Sequence, residues 1–322
     1  MPNLTRAQVR HVREPIVDSH RWDDFTPRDG DVIVATFAKC GTTWTQRIVD
    51  LLIFQSPDPR PVGRMAPWLD STVFAEPGED VATLAAQTHR RHMKSHLPFD
   101  ALPVWDTVKY IHTGRDGRDA CLSFHNHLRG TLAEFGMRLG AQAMAMAAAG
   151  LPLRPRPETP EDVHDYVLDW LTELETFEPA GHLQGPTFFE FEQTFWDQRH
   201  RANLLLVHYN DLKEDLAGEM RRISDFLEID TPASLMPDLV KAATFDSMKA
   251  NGDALMPQLR EAFDRGADRF INQGTSGRWK DVFTAADLAR YEAIVARWPT
   301  AALAAWLAGG RRGTGDPRAA AN

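Results

Sequence analysis

One stretch, residues 31–46 (DVIVATFAKCGTTWTQ), constrains the fold of this chain more than any other. Its first seven residues, Asp31 to Phe37, are mostly apolar and partly β-branched, which predicts a buried strand. A short break follows, and an apolar helical period begins at Trp44. At such a junction backbone N–H groups converge at the start of the helix, where the helix dipole favours an anion. The stretch therefore predicts a phosphate-binding loop.

The side chains of that loop support the prediction. Lys39 supplies a positive charge, and Thr42 and Thr43 supply hydroxyl donors. No Gly-Lys-Ser/Thr sequence precedes the helix, so the loop is not a Walker A motif. The alternative interpretation is an ordinary strand-to-helix turn with an exposed lysine.

Two further segments repeat the order of strand and helix. Val108 to Thr113 is followed by Arg115 at the strand end and by Ser123 in the next helix, and both can face one anion. The alternative for Arg115 is a surface salt bridge. A third strand ends at Tyr209, which could equally be a core residue. Three such units predict an α/β fold with a central parallel sheet and helices on both faces.

The composition is that of an ordinary globular protein. Of the 322 residues, 43% are hydrophobic and 25% charged, which suits one large domain or two small ones. The net charge of −9 argues against nucleic-acid binding, although a local cationic cluster could still hold an anion. There is no apolar run of 18 residues and no signal-peptide core, and two cysteines form no disulfide framework. We expect a cytoplasmic protein that binds no membrane.

Four segments, in order, resemble motifs of the cytosolic sulfotransferase family, which uses 3′-phosphoadenosine 5′-phosphosulfate (PAPS). Residues 37–44 (FAKCGTTW) resemble its Tyr-Pro-Lys-Ser-Gly-Thr-Thr-Trp loop, and residues 94–98 (KSHLP) its Lys-Thr-His-Leu-Pro segment. The pair Arg115 and Ser123 resembles its 3′-phosphate motif, and residues 274–280 (GTSGRWK) match Gly-x-x-Gly-x-Trp-Lys. The resemblance covers about residues 30–300, with 129–185 unmatched. The chain is thus identified as a member of that family.

The resemblance implies in-line transfer of a sulfonate from PAPS to a hydroxyl or amine of a small-molecule acceptor. His96 would act as general base on the acceptor, since imidazole titrates in the right range. Lys39 would stabilise charge on the leaving phosphate oxygen, and Lys94 would position the sulfonate. No metal is expected, because a sulfonate carries less negative charge than a phosphoryl group.

The resemblance also implies how the co-substrate is held. Arg115 and Ser123 would bind its 3′-phosphate, and aromatic side chains would contact adenine. The candidate cofactor-binding residues are Lys39, Cys40, Gly41, Thr42, Thr43, Trp44, Arg115, Ser123, Tyr209, Phe245, Gly274 and Gly277. The family has Arg-Lys before the first of these two glycines of the C-terminal loop, whereas this chain has Asn272-Gln273. It usually has Thr two residues before the phenylalanine, where this chain has Ala243. Both departures predict weaker contacts with the co-substrate.

The predicted organisation is a loosely structured lead-in (residues 1–30), a single sulfotransferase domain (31–308) and a disordered tail (309–322). Within the domain, residues 129–185 form a variable helical insertion, placed on the acceptor side, whose Ala/Met-rich run precedes a stiff linker with prolines at 152, 155, 157 and 160. Residues 251–271 are charged and irregular, which is typical of a mobile lid.

Two other functions stay open. A small-molecule kinase would need a Mg²⁺-holding Ser/Thr after a P-loop lysine and an acidic partner, and neither is present in clear form. A non-catalytic PAP- or PAPS-binding protein is disfavoured by intact Lys39, Lys94 and His96, although Asn272-Gln273 leaves room for it.

The assembly is predicted from one more family segment, Lys-x-x-x-Thr-Val-x-x-x-Glu, which forms the family's dimer contact. Lys280 and Thr284 match it, but Ala285 and Ala289 replace the valine and the glutamate. An apolar anchor and a charged partner are missing, so we expect a monomer or an atypical homodimer.

Overall fold

The computed structural model describes residues 1–151, 158–176 and 186–320. The strands in these residues are β1 (Leu4–Arg6), β2 (Val32–Ala35), β3 (His92–Ser95), β4 (Val104–Trp105), β5 (Lys109–Gly114) and β6 (Leu204–His208). Within the described residues, four of them form a parallel sheet in the order β3-β2-β5-β6, and β1 pairs with β4 in an antiparallel ribbon.

Helices connect and cover the strands. The α-helices are α1 (Thr42–Phe54), α2 (Val62–Met65), α3 (Glu79–Ala86), α4 (Gly117–Arg129), α5 (Ala133–Ala148), α6 (Val163–Thr176), α7 (Phe188–Trp196), α8 (Tyr209–Glu214), α9 (Leu216–Phe226), α10 (Met236–Ala242), α11 (Phe245–Ala250), α12 (Gly252–Leu255), α13 (Ala267–Phe270), α14 (Ala285–Val295) and α15 (Ala301–Thr314). Short 3₁₀ helices occupy Ser19–Trp22, Phe99–Ala101, Pro257–Glu261, Arg278–Asp281 and Pro317–Ala319. No helix in this part of the chain combines the length and apolar character needed to cross a membrane.

The sheet is buried on both faces, which explains its continuous apolar strands. In β2, Ile33 and Ala35 point into a core shared with α4, α6 and α7, whereas Val32 and Val34 point into a core shared with α1, α9 and α10. The predicted α/β fold with helices on both faces is therefore confirmed. Strand β3 was not predicted, because His92-Met93-Lys94-Ser95 lacks an apolar run.

The lead-in is folded, contrary to the loose structure predicted for residues 1–30. Strand β1 pairs with β4, and the side chains of Val12, Trp22 and Phe25 are buried in the main core. Trp22 packs against Phe25 and Trp105, with ring centroids 5.5 and 6.5 Å apart. The isolated apolar residues among many charges hid this packing from the sequence pattern.

The predicted disordered tail is also wrong for the residues that the structure describes. Helical structure resumes after a kink at Gly310 and reaches Thr314, and the Asp211 carboxylate accepts the N–H groups of Arg311 and Arg312 at 2.7 and 3.1 Å. The Arg199 guanidinium donates to the carbonyls of Pro317 and Ala320. These are tertiary hydrogen bonds, which local composition does not reveal. Residues 321 and 322 lie outside the described residues.

Arginines also cover the outer edge of β6, which ends the sheet. Arg222 donates to the carbonyl of Leu206 at 2.9 Å, and Arg318 to that of Leu204 at 3.0 Å. Backbone acceptors that pair with no strand of the described residues are thus satisfied by guanidinium groups.

The middle segments are more regular than predicted. Residues 251–271 are not irregular: they form α12, α13 and a 3₁₀ helix around a third apolar cluster. The predicted insertion contains α5 and α6, of which α6 packs against α4 and α14. The prolines at 152, 155 and 157 and the residues 177–185 lie outside the described residues.

Candidate active site

A cavity of about 1570 Å³ opens at the carboxyl-terminal edge of the parallel sheet. Residues at or just after the end of each of the four parallel strands line it: Lys39 after β2, Lys94 and His96 at β3, Arg115 after β5 and Tyr209 after β6. Ligands of open α/β sheets bind at this edge. Because single-ligand pockets measure about 300–1,000 Å³, this cavity has room for two ligands side by side.

The loop between β2 and α1 turns sharply into the cavity. Lys39 and Gly41 have φ angles of 67° and 109°, in the left-handed region. A Cβ atom on Gly41 would also lie 3.0 Å from the Tyr209 ring, so glycine is required there. The hydroxyls of Thr45 and Thr113 are 2.7 Å apart and tie α1 to β5. The loop is therefore held in place before any anion binds.

Of the predicted cofactor-binding residues 39–44, Cys40 is the one that does not line the cavity. Its side chain is fully buried in the apolar core beneath the loop, and this burial raises the pKa of the thiol well above its ordinary value. Any contact of Cys40 with a phosphosulfate would therefore involve its backbone. The other predicted loop residues, Lys39 and Gly41 to Trp44, lie on the cavity wall.

Two lysines of the cavity rest on aromatic rings. Lys39 Nζ lies 3.9 Å from the ring centroid of Phe270, and Lys94 Nζ lies 3.9 Å from that of Trp68. Burial lowers the pKa of Lys39 to about 7, helped by the positive charges of Lys94 and Arg115. Burial lowers the pKa of Lys94 to about 8. A bound anion would favour the protonated, charged form of both side chains.

Among the described residues, one ring nitrogen of His96 has a hydrogen-bond partner and the other has none. Its Nδ1 lies 2.8 Å from the carbonyl of Thr36, and because a carbonyl only accepts, Nδ1 carries the proton. Nε2 then keeps a lone pair. Burial, and next the positive charge of Lys94, lower the pKa of His96 well below its ordinary value. The imidazole is therefore neutral, in the state that a general base needs.

The other histidines near the motif lie away from the cavity. The ring nitrogens of buried His112 are bonded to the Ala35 carbonyl and to Glu192, both at 2.9 Å. His92 is fully buried, and burial lowers its pKa to about 3. His89 packs edge-on against Phe54. None of the three lines the cavity of the described chain.

His127 does line the cavity, and sequence analysis missed it. It lies four residues after Ser123 on α4, so the two share one helix face. Its ring packs against Phe124, Phe263 and Phe270. The helical spacing from Ser123 is the signal that could have found it.

At one end of the cavity, aromatic and cationic groups converge on Arg115. Its guanidinium lies 4.2 Å from the Tyr209 ring centroid and donates to the carbonyls of Lys39 and Thr275 at 3.0 and 3.2 Å. Trp44 meets Tyr209 edge-on at 5.4 Å and donates from Nε1 to the Ala243 carbonyl. Ser123 lies on the same cavity wall.

The glycine-rich segment after α13 interlocks with this end. Gly274 has a φ of 63°, and a Cβ atom there would lie 2.4 Å from the ring of Phe245. Gly277 does not line the cavity: its N–H donates to both oxygens of the Asp119 carboxylate, at 3.0 and 2.9 Å. These hydrogen bonds of Gly277 hold in place the segment whose first glycine, Gly274, lines the cavity.

Arg64 on α2, Lys213 and Arg278 are cations of the cavity wall that the sequence did not single out. Lys213 follows β6 on α8, and Arg278 lies in the matched glycine-rich segment. All three supply positive charge at a cavity where Asn272 and Gln273 supply none.

The other end of the cavity is largely apolar. Its wall includes Phe74, Phe135 and Leu139, of which the latter two lie on α5 of the predicted insertion. Trp68, Phe74 and Phe135 form a row from His96, with successive ring centroids 4.9, 5.9 and 5.7 Å apart. This row leads from the free imidazole nitrogen along an aromatic surface.

The comparison with protein families decides the identity. The sequence model of a family described as "Sulfotransferase domain" matches residues 29–304. The chain belongs to the sulfotransferase family. This sulfotransferase is 36% identical over 313 residues to a protein named glycolipid sulfotransferase of Mycobacterium bovis, with 94% of each chain covered. It is 28% identical over 286 residues to rat sulfotransferase 1A1, covering 86% of this chain and 87% of the rat protein.

Solved structures share the fold of this sulfotransferase. A retinol dehydratase, crystallised with androsterone and the inactive cofactor PAP, superimposes with a TM-score of 0.65 at 23% identity, covering 87% of this chain and 85% of the other. Mouse sulfotransferase SULT7A1, complexed with PAP, gives a TM-score of 0.61 at 20% identity, with 87% and 88% covered. The predicted family, fold and enzyme class are confirmed, and the kinase alternative is not supported.

Proposed function

We propose that this sulfotransferase transfers a sulfonate from PAPS to a hydroxyl or amine of a small-molecule acceptor, with His96 as the general base. The observation that carries the proposal is the arrangement of His96. Its Nδ1 donates its proton to the Thr36 carbonyl, so the lone pair is on Nε2. The His96 side chain lines the same cavity as Lys39 and Lys94. A base and two cations then surround the place where a sulfonate would be transferred.

The residues divide the work in this proposal. The N-terminus of α1 and Lys39 hold the phosphosulfate, while Arg115, Ser123, Lys213 and Arg278 supply donors for a 3′-phosphate. PAP is the cofactor product named in the two solved structures, which supports PAPS as the co-substrate here. The rings of Trp44, Tyr209 and Phe245 are available to adenine.

The transfer step uses the acceptor end of the cavity. His96 Nε2 takes the proton of the acceptor hydroxyl as the acceptor oxygen bonds to the sulfonate sulfur. The bond from sulfur to the bridging phosphate oxygen breaks, and Lys39 stabilises the charge that develops on that oxygen. Lys94 holds the sulfonate between them. The products are the sulfated acceptor and PAP.

We infer an amphipathic alcohol as the acceptor, with a large apolar part. The row of Trp68, Phe74 and Phe135 offers apolar surface next to His96. The mycobacterial relatives at 36% identity are named glycolipid sulfotransferases, which fits such an acceptor. Transfer without a metal, the cytoplasmic location and the monomeric or atypical dimeric state stay predictions.

The first testable prediction concerns the nucleotide. PAP should bind in the presence of a chelator, and AMP should bind roughly 10–100-fold more weakly, because charge-assisted bonds to the 3′-phosphate would be lost. Isothermal titration calorimetry measures both affinities. An Arg115→Lys variant should reduce the ratio of the affinities for PAP and AMP, since lysine lacks the planar guanidinium group that binds a phosphate through two hydrogen bonds. Equal affinities for PAP and AMP would contradict the assignment of Arg115 and Ser123.

A second prediction concerns pH. In the free protein the pKa of Lys39 is lowered to about 7 and that of Lys94 to about 8, and a bound anion should raise both. Binding of PAP should therefore take up protons, and affinity should fall as the pH rises through 7 to 9. Calorimetry at pH 7.5 in buffers of different ionisation enthalpy measures the uptake. Lys39→Met should reduce it, and an affinity that stays constant between pH 7 and 9 would sink the prediction.

A further inference from the structure

We propose that Trp68 and Asp70 form a positioning pair that holds Lys94 and His96 in their working geometry. This inference rests on the proposed function, because it assumes that Lys94 and His96 act on the sulfonate and the acceptor. Neither Trp68 nor Asp70 belongs to the segments that suggested the function, and the loop that carries them precedes α3.

The backbone of this loop is joined directly to β3. Lys94 N–H donates to the Pro67 carbonyl at 2.9 Å, and Leu69 N–H donates to the Lys94 carbonyl at 3.3 Å. Trp68 and Lys94 therefore pair in parallel, as one isolated bridge at the edge of the sheet. The loop therefore adds one paired residue, Trp68, to the edge of the sheet beside Lys94 and close to His96.

The indole of Trp68 contacts both side chains. Lys94 Nζ lies over the ring at 3.9 Å from its centroid, and the His96 ring meets it edge-on with centroids 4.9 Å apart. A rigid indole has few rotamers, so it fixes the ammonium and the imidazole relative to each other. The indole N–H is not available to Lys94 or His96, because it donates to the Asp70 carboxylate.

Asp70 holds both the indole and the histidine backbone. The carboxylate is fully buried, and its Oδ2 accepts from Trp68 Nε1 at 2.9 Å and from His96 N–H at 3.2 Å. Its Oδ1 accepts from Trp22 Nε1 at 3.3 Å. The negative charge of Asp70 also favours the ammonium form of Lys94. Asp70 does not line the cavity, so it acts through its neighbours.

The test is Asp70→Asn, which keeps the size but replaces one acceptor oxygen by an amide donor facing N–H groups. Turnover should fall roughly 10–100-fold, since the contacts of one oxygen are lost and those of the other become weaker bonds to a neutral amide. PAP affinity, measured by calorimetry, should stay within threefold of the parent. A milder variant, Trp68→Phe, keeps a ring beneath Lys94 but removes the donor to Asp70, and it should lower turnover less than Trp68→Leu.

A double variant separates positioning from general stability. If Asp70 acts through His96, adding Asp70→Asn to His96→Ala should lower the remaining turnover by less than about threefold, far less than in the parent. Asp50→Asn is the matched control: Asp50 is also fully buried, it pairs with Arg47 on α1, and it does not line the cavity. It should lower the thermal unfolding temperature without lowering the turnover of the folded enzyme.

The outcomes are distinct. Full turnover in Asp70→Asn and Trp68→Leu, with His96→Ala inactive, would overturn the positioning pair and leave the proposed function standing. So would equal losses from Asp70→Asn in the parent and in His96→Ala. An active His96→Ala would instead overturn the proposed base. Loss of turnover in Asp70→Asn and Trp68→Leu, with PAP affinity kept and with less than about threefold further loss when Asp70→Asn is added to His96→Ala, would support the pair.

Discussion

Replacing His96 with alanine should lower turnover on an alcohol acceptor roughly 10²–10⁴-fold, the usual contribution of a general base. PAP affinity should change little, because the groups that surround the nucleotide end are Arg115, Tyr209 and the start of α1 rather than His96. The measurements are steady-state turnover and calorimetric affinity for PAP. The defect should shrink for acidic phenols, since an acceptor that is already ionised needs no base.

His127→Ala is the sharpest comparison, because His96 and His127 are the histidines that line the cavity of the described chain. His127 packs among phenylalanines, so its loss should appear mainly in the KM of the acceptor. His89→Ala, outside the cavity, should resemble the parent. If His127→Ala lost turnover while His96→Ala kept it, the base would have been assigned to the wrong residue.

Replacing Lys39 with methionine should lower turnover about 10²–10³-fold, as expected when one electrostatic contact to developing charge is removed. Methionine keeps most of the side-chain length and can still pack against Phe270, where the ammonium now rests. Single-turnover measurements at saturating PAPS would isolate the chemical step from weaker binding. A rate within threefold of the parent would mean that Lys39 is not at the bond that breaks.

Lys213→Met provides the matched control for that charge. Lys213 also lines the cavity, but it lies on α8 after β6. Burial, and next the positive charge of Arg115, lower the pKa of Lys213. Its loss should weaken PAP binding while the single-turnover rate at saturation stays close to that of the parent. An equal loss of single-turnover rate in Lys39→Met and Lys213→Met would show a general effect of positive charge. It would contradict the assignment of Lys39 to the bond that breaks.

Much of the site could be predicted because parallel strands bring their carboxyl ends to one edge of the sheet. The continuous apolar runs of β2, β5 and β6 are visible in the sequence, and Lys39, Arg115 and Tyr209 follow them directly. Once the strands are placed, these three residues must lie near one another. Local pattern and topology suffice for this part.

The missed parts depend on contacts between distant segments. The strand His92–Ser95 has no apolar run, and it is held between Val32–Ala35 and the Trp68 loop. Lys213 and Arg278 reach the cavity from elements whose positions only the packed fold determines. The same holds for Asp70, whose carboxylate joins Trp22, Trp68 and His96 across the interior.

The arginines on the outer edge of β6 have a consequence for aggregation. An open edge strand offers free carbonyls that a second molecule can pair with, and β6 is buried and apolar from Leu204 to Val207. Arg222 and Arg318 occupy the carbonyls of Leu206 and Leu204, which point away from the sheet. A chain shortened before Arg318 would lose the contact to the Leu204 carbonyl, while Arg222 would still cover that of Leu206. We expect such a chain to aggregate more readily at high concentration.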